Sequence, residues 1–137
     1  MQKRFIYGIF WACVLILFLT LAFIARAEAP EMDYEQKLDI WVENLASCES
    51  RNNPKQVNPL DNGSPSYGYV QYKLSTFWNY NKKYNVFPEL TMDNLHHYVM
   101  QKDKQVAMTK VIIKKEYGWR NWYNCSKKIG LPPVEES

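Results

Sequence analysis

The feature that most constrains this chain is its start: twenty consecutive residues, 5–24, carry no charge, with Lys3 and Arg4 before them and Ala25-Arg26-Ala27 and Ala27-Glu28-Ala29 after. The order basic, apolar, Ala-x-Ala is that of a secretory signal peptide. Twenty uncharged residues are also long enough to cross a bilayer as a helix. A cleaved leader and a retained anchor both follow, and with Lys3 and Arg4 staying inside, both place residues 30–137 outside the cytoplasm. A retained leader would add membrane contact through residues 5–24. What remains after residues 1–29 is room for one domain, expected over 30–130, with a flexible tail at 131–137.

Export changes how the cysteines read. Cys13 lies within the apolar leader as a small hydrophobe, which leaves Cys48 and Cys125 as the only two in the exported part. Disulfides persist in that compartment, so these two are expected to pair. A zinc site would need further ligands, and His96 and His97 are adjacent, so they face different ways on a helix. No metal or cofactor is implied. Closing so long a loop stabilises by about 4 kcal/mol in the chain-entropy account, a large share for a domain this small.

Without Lys3, Arg4 and Arg26 the chain holds fourteen Lys and Arg against fourteen Asp and Glu, yet the signs are segregated. Residues 31–49 carry six acids against Lys37, and residues 51–128 carry thirteen bases against five acids. A basic surface outside the membrane suits an anionic polymer such as cell wall. The plainer alternative is lysines scattered over solvated helix faces. The lysines form no dense run, and with the location this argues against nucleic acid.

The periodicities give a small, mostly helical α+β unit. Leu38, Trp41, Val42 and Leu45 share one helical face, predicting a first helix over 33–47 with Cys48 and Glu49 in its last turn. Asn52-Asn53-Pro54 is expected to stop it. Residues 55–65 read as loop from Asn58-Pro59, Asp61-Asn62-Gly63 and Ser64-Pro65. Residues 66–72, with Tyr67, Tyr69, Val70 and Tyr72 around Gly68, read as a short hairpin or bent strand. Helices are predicted from a Ser75 cap to Tyr84, after Thr91 or Asp93 through Leu95, Tyr98 and Val99, and from Asp103 to Glu116 with Met108, Val111, Ile112 and Lys115 on one face. Gly118 is expected to end the last of these. Residues 119–125 are aromatic-rich, and the chain from Gly130 onward is expected to fray.

Cys48-Glu49-Ser50 at a helix end, the turn Ser66-Tyr67-Gly68-Tyr69-Val70-Gln71, and the late Cys125 occur in an order that resembles a lytic transglycosylase, and within the lysozyme superfamily the resuscitation-promoting-factor branch. The resemblance spans about residues 39–125. It implies a lysozyme-like domain acting on peptidoglycan glycan strands, at the β-1,4 bond between N-acetylmuramic acid and N-acetylglucosamine. Glu49 would be general acid and then base, a role that needs a carboxyl held protonated near neutral pH by partial burial. Ser50 would support Glu49 or touch the sugar, Gln71 would reach an acetamido group or hydroxyl, Gly68 would let backbone approach the ligand, and Tyr67 and Tyr69 would line the cleft, one of them being half-buried strand packing instead.

Trp78, Trp119 and Trp122 are either sugar-stacking surfaces or core, and Trp41 is core. Hydrolases place a second carboxyl across the scissile bond, and Asp61, Glu43 and Glu116 are the candidates. Asp61 beside Asn62 and Gly63 is explained as well by turn formation. The Ala-Tyr-Asn-Ala-Gly stretch of typical transglycosylases is absent, and the aromatics at 117–123 stand where it would be. A non-catalytic glycan-binding module of the same fold, a hydrolytic lysozyme and a structural protein of the envelope are the competing functions. A monomer is the default.

Overall fold

A computed structural model describes residues 30–135, so residues 1–29, with the signal-or-anchor segment, lie outside the described residues. The chain divides after Met32, and the described residues from Asp33 onward pack among themselves. Among the described residues no helix is long and apolar enough to cross a membrane. The architecture is mostly helical with one small antiparallel sheet, as the sequence patterning predicts.

Helix α1 runs Tyr34–Ser50. Asp33 opens it through a capping box: its carboxylate accepts the Gln36 N–H at 2.8 Å, and the Gln36 amide oxygen accepts the Asp33 N–H at 3.1 Å. Leu38, Trp41, Val42 and Leu45 are all buried, so the predicted face is the observed one. The stop comes earlier than Pro54. Arg51 (φ 56) and Asn52 (φ 61) both adopt left-handed backbone, and the Arg51 and Asn52 N–H groups bond Ser47 O and Ala46 O at 3.1 Å. This satisfies carbonyls that the helix end would otherwise leave bare.

The stretch expected to be entirely loop contains a strand. β1 (Val57–Asn58) pairs antiparallel with β2 (Ser66–Tyr67), Val57 opposite Tyr67 and Asn58 opposite Ser66. Tyr67 and Tyr72 then exchange N–H···O bonds of 2.9 Å, which folds residues 67–72 into a tight turn. That pairing delivers the chain directly into α2 (Leu74–Tyr84), so Lys73, not Ser75, stands at its N-cap.

Helix α3 (Leu95–Val99) follows a turn in which the Thr91 N–H donates to Asn94 Oδ1 at 2.8 Å. Helix α4 (Lys102–Glu116) buries Gln105, Met108, Thr109, Ile112 and Ile113, while Lys115 is exposed; the buried face is rotated from the predicted one because two polar residues lie on it. Tyr117 (φ 51), not Gly118, takes the left-handed position at its end. Gly118 is needed for another reason: a Cβ there would come within 2.5 Å of Ile112 Cγ2.

A 3-10 turn, Trp119–Trp122, leads into a short helix that the aromatic content concealed, α5 (Tyr123–Ile129). Cys125 on α5 is joined to Cys48 on α1 by a disulfide, with Cα atoms 5.8 Å apart. The segment expected to fray is tied at its start, since Trp41 Nε1 donates to Gly130 O at 2.9 Å and the Tyr117 hydroxyl to Pro132 O at 3.0 Å. The core gathers the α1 face with Val70, Tyr72, Phe77, Val99, Met108, Ile112 and Trp122. Along its flank, Lys110 pairs with Asp39 and Glu35, and Lys114 with Glu35, so α4 neutralises much of the acidic face of α1.

Candidate active site

Glu49 occupies the last turn of α1, half-buried, one residue after the disulfide. Its carboxyl is pushed up from 4.5 to about 7, first by burial, then by the nearby negative charge of Asp61, while the ammonium of Lys128 opposes both. The carbonyl end of a helix carries partial negative charge, which disfavours a carboxylate there as well. The last turn of α1 holds no basic residue to offset it. A carboxyl that titrates near 7 can give a proton and take one back at neutral pH, which is what acid/base catalysis at a glycosidic oxygen requires.

Asp61 brings the loop between β1 and β2 to this site. Its backbone carbonyl accepts from Lys73 Nζ at 2.8 Å, so the lysine at the start of α2 holds the loop in place. Asp61, Gln71 and Lys73 line a cavity of about 220 Å³ together with Asn121 and Trp122. Glu49 does not itself line this cavity; Asp61, whose charge acts on Glu49, does, together with amide and ammonium groups.

The residues of the turn hold structure as well as groove. Gln71 (φ 57) accepts from Ser66 Oγ at 2.9 Å through Oε1, and its Nε2 donates to Gly68 O at 2.8 Å and Gln56 O at 3.3 Å. It closes the turn from the wall of the cavity, with both amide hydrogens used and a second lone pair left on Oε1. Ser50 is buried: its hydroxyl lies 2.7 Å from Tyr69 O and 3.1 Å from Ala46 O, and accepts the Asn53 N–H at 3.1 Å. Its polar capacity is spent pinning the turn to the end of α1.

Gly68 (φ 78) is where backbone comes close to a neighbour, but the neighbour is protein. A Cβ would collide with Gln105 Nε2 and lie 3.0 Å from Val99 O. Tyr69 is buried, with Lys102 Nζ 4.5 Å from its ring centroid, and lines a separate cavity of about 240 Å³ with Val42, Glu43 and Val106. Tyr67 is half-buried with its ring edge-on to exposed His96 at 5.2 Å. Neither tyrosine lines the cavity of Asp61 and Gln71. Trp122 is buried, its indole donating to Val70 O at 2.9 Å, so it supports the groove as core.

Lys73, Lys128 and Asn121 were not singled out by sequence reasoning. Lys128 had a signal: it lies three residues beyond Cys125, one helical turn, so a bonded Cys125 on a helix carries it to the side of Cys48 and Glu49. Lys73 and Asn121 had none, because their place depends on how the loop and the 3-10 turn fold back. Among the described residues no three His, Cys, Asp or Glu side chains gather as metal ligands. No family model, curated protein or solved structure matches this chain.

Proposed function

We propose that this protein is an exported peptidoglycan-cleaving enzyme, a lytic transglycosylase that cuts glycan strands between N-acetylmuramic acid and N-acetylglucosamine with Glu49 as acid and base. The observation that carries the reading is the Glu49 carboxyl, raised to about 7 by burial and by Asp61 at the end of α1. The Cys-Glu-Ser and Ser-x-Gly-x-x-Gln stretches, whose family likeness supplies the substrate, support it. Protonated Glu49 donates to the glycosidic oxygen as the bond to the anomeric carbon breaks, assisted by the substrate's N-acetyl group. The resulting carboxylate then takes the proton of the sugar's own 6-hydroxyl as that oxygen attacks the anomeric carbon, closing a 1,6-anhydro ring. Gln71 offers its amide to the sugar from the groove wall.

Asp61 favours a second reading, a hydrolase. A carboxylate close enough to raise the Glu49 affinity for protons is also a candidate base for water, the arrangement of two-carboxylate glycosidases. Mass analysis of products from purified peptidoglycan separates the two. Anhydro-muropeptides formed by the wild type and absent with Glu49→Gln are expected; reducing-end products would move the reaction to Asp61 and water. Lysis undiminished in Glu49→Gln would remove Glu49 from the chemistry altogether.

A further inference from the structure

A third cavity, about 460 Å³, opens where α4 gives way to the 3-10 turn, and Asn121 lines both it and the groove of Asp61 and Gln71. One wall is a relay of polar groups. Asn121 Nδ2 donates to the Tyr80 hydroxyl at 2.9 Å and to Gly118 O at 2.8 Å, Tyr80 in turn hydrogen-bonds the Glu116 carboxylate, and Lys83 pairs with that carboxylate. Both amide hydrogens of Asn121 are used, so its Oδ1 is what the side chain has left for a ligand. Glu116 is likewise paired with Lys83 and hydrogen-bonded by Tyr80, which offsets its charge toward an incoming anion.

Arg120 at the same cavity is placed differently. Its guanidinium lies 5.7 Å from the Trp119 ring centroid, and Trp119 is itself stacked on Tyr123 at 6.0 Å. Arg120 makes no ion pair among the described residues. A guanidinium laid over an aromatic ring keeps its N–H edges available, and their planar fork matches a carboxylate in two parallel hydrogen bonds. The other cation near this rim, Lys83, is taken.

We propose that this cavity is a second subsite of the groove, which takes a sugar bearing a carboxylate and reads that carboxylate with Arg120. The proposal rests on the glycan reading above and sharpens it: a strand lying past Glu49 and Asp61 continues over Asn121, and the acidic group of a muramyl unit meets Arg120. Two sources supply that chemistry, the 3-O-lactyl carboxylate of a bare muramyl sugar and the carboxylates of an attached peptide stem. A neutral N-acetylglucosamine polymer offers neither.

The test measures binding of the full chain carrying Glu49→Gln, in detergent, to three probes: N-acetylglucosamine hexamer, peptide-free glycan strands with lactyl carboxylates, and strands that keep their stems. Arg120→Gln is expected to weaken an acidic probe by about tenfold or more, the scale of one charge-assisted hydrogen-bonded contact, and to leave the hexamer unchanged. Loss on both acidic probes assigns the lactyl group, and loss on the stem-bearing strands alone assigns the stem. Unchanged hexamer binding also reports that the variant is folded. Equal weakening of all three probes, or of none while they still bind, overturns this inference and leaves the glycan reading standing. If the Glu49→Gln chain binds no probe, the glycan reading falls and this subsite falls with it.

Discussion

The hairpin and α5 both flank Glu49, and they are held there by opposite means. The hairpin turn is anchored by buried side chains that reach its backbone. Gln105 Oε1 accepts the Val70 N–H at 2.7 Å, Gln105 Nε2 donates to Tyr67 O at 2.8 Å, Trp122 donates to Val70 O, and Ser50 to Tyr69 O. A tight turn pressed into a core has no strand partner for the groups at its tip, Tyr69 O and the Val70 N–H and carbonyl, so side chains from outside it must supply one. α5 has few such ties and is fixed instead by one covalent bond and by Trp41 holding Gly130. One flank therefore depends on a set of exact polar fits and the other on redox chemistry.

That contrast can be broken from either side. Replacing both Cys48 and Cys125 by Ala should have the largest effect, about 4 kcal/mol for a loop of 77 residues' separation, read from urea unfolding. Amide exchange should quicken in α5 and stay slow at Val70; if Val70 quickens equally, the two flanks are not independent. Gln105→Leu should cost about 3 kcal/mol, because it leaves the buried Val70 N–H without an acceptor and removes the Gln105 amide that donates to the buried Val99 carbonyl. Its exchange pattern should be the reverse, fast at Val70 with the disulfide intact. A loss under about 1 kcal/mol would mean that the apolar contacts of the turn, not Gln105, hold it.

The remaining comparison is a matter of protons. Folded Glu49 titrates near 7 against an ordinary 4.5, so between those values the folded chain holds the proton that the unfolded chain has released. Wild-type stability should fall relative to Glu49→Gln as pH rises through that window and run parallel above it. The two flanks act on this in opposite directions. Asp61→Asn on the hairpin side removes a repelling charge and should lower the Glu49 value, and Lys128→Met on α5 removes an attracting one and should raise it. The descending limb of any pH–activity profile should move with it, and identical limbs in all three proteins would place the acid elsewhere.

How much of this was legible in the sequence follows the same division. The α1 face was, because Leu38, Trp41, Val42 and Leu45 are apolar at helical spacing, and so was the cysteine pair once export was read. The polar anchors were not. Gln105 and Thr109 sit on the buried face of α4, Thr109 bonded to the Tyr72 hydroxyl at 3.0 Å, but a pattern of apolar spacing counts both as surface. β1 is two residues long, too short for any alternation to show. A glycine after a helix reads as a conformational stop, but Gly118 is a point of close packing and Tyr117 bears the left-handed backbone instead. For the site, the resemblance points to Glu49 and Gln71, and Asp61 is legible only as one of three candidate carboxyls that turn formation explains as well, because its effect on Glu49 depends on how the loop folds back.

Cys48 and Glu49 are consecutive residues, and Lys128 rides on the helix that the cysteine holds. A reductant that opened this bond would therefore act on the carboxyl without touching it. As α5 loosened, its ammonium would leave the neighbourhood, and Glu49 would grip its proton more tightly still. The oxidation state of the surroundings would in this way be transcribed into the acidity of one side chain, with a single peptide bond between the sensor and the group that responds.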